Sequence, residues 1–301
     1  MTRSHVLVVV GGGLLLLGVA ELLGGGCGCT VHVPGSWSVT SKDGVELPHE
    51  AKLHVSSPAK PSRIVLDLET AAVVVQGDES VTGLEADYEV REKTPGDASL
   101  VASQDGVEVK SAGGNPVLVT SAKLRVPPGT AVDVSTSLGT VTVSGIHGAA
   151  SVAAKSDGGR VALSDLADVP KVTVETSLGE VTLTKGAGLG TVTLATDSGS
   201  VSAHDVSGAK SVSLRSGVGG VKASSVTVSE SLKMETDTGA VDVADAHAAR
   251  ALLRSDVGAV TARHSEFDHV SAHSDVGAIH FVGCKYKTKD LGTDVGSVKE
   301  E

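Results

Sequence analysis

Three groups of side chains in this chain have types and spacings that could do chemistry. The first is a row of carboxylates: Asp157, Asp197, Asp237, Asp256, Asp275 and Asp294 each stand two residues before a glycine, and the last four are spaced 19 residues apart. If the segments that carry them stack as neighbouring strands, the carboxylates sit about 5 Å apart and repel by about 1 kcal/mol per pair at surface dielectric. A divalent cation would relieve that repulsion, with Asp256, Asp275 and Asp294 as its candidate ligands. The structural alternative is stronger, because Asp favours turns by accepting hydrogen bonds from nearby backbone N–H groups. The glycine-rich nine-residue repeat of calcium-binding solenoids is also missing. The expectation is therefore a turn residue, with no metal and no cofactor.

The second group is His264, His269, His273 and His280, dense enough to suggest zinc, copper or a pH-sensitive surface. No two of them share a position relative to their glycines, and Glu266 and Cys284 complete no recognised ligand spacing. They are expected to be solvated polar residues.

The third chemistry is at the N-terminus. Arg3, the apolar run Val6–Ala20 and the small residues before Cys27 follow the order of a bacterial lipoprotein signal, in which the cysteine thiol is acylated and becomes the new N-terminus. Cys29 is the competing residue. A retained membrane anchor and a plain secretory signal are the other readings of the same segment. All three place the rest of the chain outside the cytoplasm, and lipidation at Cys27 would attach it to the membrane. Cys284 is the one remaining cysteine, so no disulfide framework is expected.

Composition narrows the field further. The formal charge is -11, which argues against nucleic acid as a partner. Only five aromatic residues occur among 301, which excludes a wide core of large side chains. Neither a P-loop, an H-E-x-x-H nor a G-x-S-x-G motif is present. "KGAGLG" at 185–190 lacks the Lys-Ser/Thr that a nucleotide loop needs and reads as a corner.

What positions these residues is a repeat. Turn glycines fall at Gly139, Gly159, Gly179, Gly199, Gly219 and Gly239 at intervals of 20, then at Gly258, Gly277 and Gly296 at intervals of 19. Three residues before each stands a hydroxyl (Thr136, Ser156, Thr176, Thr196, Ser216, Thr236, Ser255, Ser274, Thr293), and two after each stands Val or Ile. A fixed period with β-branched alternation marks a β-solenoid, whose coils cannot bury their own inner faces and must stack. In the coil 172–191, Val172, Val174, Thr176, Val181 and Leu183 are expected to point inward. A third inward place is expected seven and ten residues after the glycine, as at Leu166 and Val169.

The expected architecture is all-β, a single parallel β-helix of about nine regular coils. Its parts are a signal over 1–26, a tether and irregular cap over 27–59, degenerate β coils or a cap sheet over 60–131, and regular repeats over 132–301. In the degenerate part, "VLDLETAAVVVQG" at 65–77 is aligned with Thr70 as the hydroxyl, Val73 at the glycine place and Val75 two beyond it. At the far end, Lys299, Glu300 and Glu301 put charge beside an open β edge and would block end-to-end stacking.

The phrase "LRVPPGTAVDVSTSLGTVTVSGIHGAASV" followed by repeated T-x-x-G-x-V-x-V resembles the bacterial putative-adhesin family over about residues 60–298. That resemblance implies a β-helical, exported or membrane-attached protein without an assigned activity, and it carries over no catalytic residues. The expected function is a non-enzymatic cell-envelope scaffold that offers a surface to an unidentified protein or surface ligand. A cation-dependent adhesion or sensor module built on the Asp row is the alternative. A polysaccharide-active enzyme is the minor one.

Replacing Cys27 with serine should abolish acyl labelling of the expressed protein, while Cys29→Ser should leave it intact. Normal labelling of both variants would refute lipidation at Cys27.

Overall fold

The computed structural model describes residues 6–8, 45–58, 60–103, 106–111 and 114–301, and no helix occurs among them. Cys27, Cys29 and most of the signal and tether lie outside the described residues. From Ala131 onward the chain is a parallel β-solenoid in which every strand pairs with the equivalent strand one coil later. The register is 20 residues in the first coils, as in Val172↔Val192, and 19 in the last, as in Val270↔Lys289. Eight turns are complete, and the chain ends within the ninth with the short strand Val298–Glu300 on Ile279–Val282.

Inward positions form columns of like side chains. Val141, Val161, Val181, Val201, Val221, Val241, Val260 and Ile279 stack in register and are all at most 1% exposed. The expected inward residues Val172, Val174, Thr176, Leu183, Leu166 and Val169 are also buried. Small residues suffice because the core is narrow.

The glycine corner explains the repeat. The carbonyl of Gly219 accepts a hydrogen bond from Thr236 Oγ1 of the next coil at 2.8 Å, and its N–H donates to Thr238 O at 2.8 Å. The same hydroxyl-to-glycine bond recurs from Ser156, Thr176, Thr196, Ser216, Ser255, Ser274 and Thr293 at 2.8–3.3 Å. Backbones approach so closely there that a Cβ added at Gly219 would lie 1.9 Å from the Gly199 carbonyl oxygen. Most turn glycines also have a left-handed φ, but Gly159 does not, and a Cβ there would still meet Gly139 O at 1.9 Å. Clearance between coils is therefore the requirement common to the file, and backbone conformation is secondary.

A second corner lies six residues after the glycine, where Gly145, Asp165, Lys185, Asp205, Ser225, Asp245, His264 and Gly283 all adopt φ between 49° and 66°. Gly and Asp tolerate this left-handed conformation better than most residues, and their recurrence at that spacing is its signature in sequence. A third left-handed corner at Gly148, Asp168, Gly188 and Gly208 serves only the early coils. The coil length drops from 20 to 19 at this corner, because the partners Thr227↔His247 and Ser231↔Arg250 differ by one residue in separation.

Upstream, Arg63–Thr70 and Ala72–Gly77 form one coil stacked in parallel on the first regular one. Its frame differs by two residues from the one expected. Val73 partners Val141 and Leu68 partners Thr136, so Ala71, whose carbonyl faces Gly139, holds the glycine place. The strand on the other side of this coil is Val117–Val126, which pairs in parallel with Ala72–Gly77 and brings no glycine corner against Ala71. Residues 78–116 leave the solenoid as an excursion, and the chain returns to the parallel register at Val117–Val126. Leu84–Glu92 runs antiparallel between Val117–Val126 and His49–Ser57, and Ala98–Ser103 forms a hairpin with Gly106–Ser111, against which Val6–Val8 also pairs. The antiparallel strands close this end of the stack over Tyr88, whose phenol burial holds well above its usual range.

The other end closes differently. Lys289 occupies the inward column of Val270, Glu300 that of Phe281, and Tyr286 that of Phe267. Lys289 Nζ bonds the Glu300 carboxylate and lies 5.2 Å from the centre of the Tyr286 ring, and Tyr286 OH also donates to Glu300. An ion pair thus covers the open end of the apolar core, while Lys299 pairs with Glu301 beside it. Hydrogen bonds from Lys289, then from Tyr286, hold the Glu300 carboxyl below its usual range, and the same bond raises Lys289.

Thr236→Val should cost about 1 kcal/mol by removing one inter-coil bond, whereas Gly219→Ala should cost about 3 kcal/mol or more because a backbone oxygen occupies the space. Comparable melting temperatures for the two variants would refute the clearance argument. The stabilisation tied to Glu300 is present above the ordinary carboxylate pKa of about 4.3 and is lost as pH falls through its depressed folded value. Lys289 contributes fully below about 10.4, and its contribution disappears as pH rises through its raised folded value. Glu300→Gln should accordingly melt below wild type at pH 7, with the gap closing as pH falls towards 3.

Candidate functional site

Strand residues between the third corner and the glycine alternate inward and outward, so positions eight, six, four and two before each glycine project from one outer face. In early coils this face mixes small residues, as at Thr191, Thr193 and Ala195, with charged ones, as at Asp133, Lys155, Lys171 and Glu175. In the last four coils it lines a groove and brings an imidazole together with two carboxylates. Ser231, Arg250, His269 and Thr288 are in register eight residues before their glycines. Lys233, Leu252, Ser271 and Asp290 are in register six before. A groove of about 490 Å³ runs between the two columns, across the strands. Arg250 and the His269–Thr288 pair, joined at 2.5 Å, line it together with Leu252, Val270 and Asp290, while Lys233 is paired with Glu235 at 2.8 Å.

Four residues before the glycines stand Glu235, Arg254, His273 and Gly292, again in register. Their neighbours two residues on are the carboxylates of the Asp row. The row is not a bare stack of like charges. Asp256 Oδ1 receives Arg254 Nε at 3.1 Å, Asp275 Oδ1 lies 3.2 Å from His273 Nε2, and Asp237 is 4.0 Å from Arg215 of the preceding coil. Arg254 and Arg215 on the same face offset the repulsion at Asp256 and Asp237, which like-charge counting along the row missed.

Of the three candidate ligands, the structure separates Asp256 from the other two. Asp275 and Asp294 converge with His273, one ligand atom from each lying within 4.8 Å of the others, while Asp256 faces Arg254. Asp294 is placed beside a histidine because its own strand has Gly292 where the preceding ones have side chains. The remaining histidines are apart: His264 is a left-handed corner residue, and His280 stands on the following strand, 3.8 Å from Glu301. Cys284 is a free, half-buried thiol packed against the core, as expected of a small apolar residue. The nine turn glycines form the structural file described above.

One position before the glycines is a further column that the periodicity analysis overlooked. Leu138, Leu178, Val218, Val257, Val276 and Val295 are 49–63% exposed, and Val257, Val276 and Val295 occupy consecutive coils. Gly158, Ser198 and Thr238 interrupt the earlier part of the column, and the last three form an apolar ridge along the corner, beside the Asp row. An apolar residue in a fixed outward frame was the available signal. Among the described residues no helix is long and apolar enough to cross a membrane.

The model of the family described as Toastrack DUF4097 matches residues 62–287. The crystal structure of a putative adhesin from Bacteroides fragilis aligns over 84% of this chain and 98% of its own, with 13% identity and a TM-score of 0.39. No curated protein matches.

Proposed function

We propose that this chain, which belongs to the Toastrack DUF4097 family, is a non-enzymatic, adhesin-like scaffold of the cell envelope that meets its partner through the corner and outer face of its last coils. The observation that carries this reading is the exposed apolar ridge of Val257, Val276 and Val295. Single exposed apolar residues are ordinary, but a column of them in register along a rod is a contact surface that costs solubility unless a partner covers it. The repeat supports the same reading. Its hydroxyls, glycines and inward Val residues are all engaged in stacking, which leaves the outward columns to determine what the rod binds. Lipidation at Cys27 would hold the rod at the membrane and outside the cytoplasm, with its C-terminal coils displayed.

Replacing Val257, Val276 and Val295 with asparagine tests the proposal. The triple variant should melt within a few degrees of wild type and fractionate with the envelope as wild type does. Attachment of cells displaying it to surfaces should fall to the level of cells lacking the protein. Undiminished attachment by the triple variant would remove the ridge from the function.

A further inference from the structure

We infer that His273, Asp275 and Asp294 form a mononuclear site for a divalent transition ion, zinc above all. The inference is independent of the adhesive reading, since it concerns the outward columns two and four residues before the glycines and does not involve the ridge. His273 Nε2 and Asp275 Oδ1 are 3.2 Å apart, which matches the edge of about 3.3 Å expected for two ligands of one tetrahedral zinc ion. Asp294 supplies a third donor within 4.8 Å from the next coil. Two carboxylates and a neutral imidazole balance the charge of the ion, and three protein donors leave a fourth position for water or a partner's ligand.

The surroundings favour the cation at this row and disfavour it at the neighbouring one. Arg254 precedes His273 in its column, but its charge is turned to Asp256 at 3.1 Å. On the other side the column continues with Gly292, which carries no side chain. A Cβ at 292 would lie 3.3 Å from His273 Nδ1, so glycine leaves the imidazole free beside the carboxylate of Asp294. The donor set also selects the metal. Calcium takes six to eight oxygen ligands and magnesium keeps most of its water, whereas imidazole with carboxylate suits zinc and its neighbours. The acidic row thus contains one site at its last two members, and that site is not for calcium.

Titration calorimetry of the full-length chain, stripped with chelator and then titrated with zinc chloride, tests the inference. One zinc ion should bind per chain, and the melting temperature should rise with zinc and return with chelator. His273→Gln and Asp294→Asn should each weaken binding about tenfold or more. Gly292→Arg, which adds a cation to the column, should do the same. Asp256→Asn should bind as wild type, and millimolar calcium should give neither heat nor thermal shift. Cobalt in place of zinc should show no thiolate charge-transfer band. Zinc binding that is absent from wild type, unchanged in His273→Gln and Asp294→Asn, or accompanied by that thiolate band would overturn the site.

Discussion

Everything in this molecule depends on how closely one coil can approach the next at the glycine corner. There a backbone oxygen fills the space that a Cβ would need, 1.8–2.1 Å away along the file from Gly159 to Gly296. A buried hydroxyl from the next coil then satisfies that oxygen. The pair of requirements is reciprocal, because the glycine permits the approach that brings the hydroxyl within reach. The bond in turn supplies a partner for a carbonyl that would otherwise be buried with one lone pair unused. Neither residue can vary alone, which is why both recur in every coil from Gly139 onward.

A constraint this local leaves the rest of each coil free to diverge. The third corner loses a residue after the fifth regular coil without disturbing the inward columns, since the deletion falls where the chain turns and not where it pairs. Outward side chains diverge further still: the column four before the glycines reads Ser135, Lys155, Glu175, Ala195, Arg215, Glu235, Arg254, His273 and Gly292. The rod is uniform in its interior and varied on its surface, and the imidazole–carboxylate cluster lies in its last coils.

The two ends meet the general problem of a stacked sheet, whose last strand would template another copy. At the start, the parallel register ends at Val117–Val126, beyond which Leu84–Glu92 and then His49–Ser57 run antiparallel. At the finish, charge is turned inward onto the core by Lys289 and Glu300, with Tyr286 between them. Lys299, Glu300 and Glu301 were expected to guard the edge from beside it, but Glu300 instead covers the end of the core in the column of Phe281.

Period, residue type and alternation in the sequence alone determined the solenoid, the inward set and the turn glycines, because a stacked coil must match its successor residue for residue. Fold class, the buried place of Val181 and the hydroxyl column were legible for that reason. The frame of the 65–77 coil was not, since a single unrepeated coil has no successor in sequence to align with, and Ala71 took the glycine place that Val73 was given. Only the tertiary structure decided which outward residues meet. His273 and Asp294 are 21 residues apart and hold different places relative to their glycines, so no ladder of like positions joins them. They converge because side chains on adjacent coils lean across columns, and because Gly292 leaves His273 unobstructed. Those are facts of packing between coils, which a repeat read along one strand does not contain.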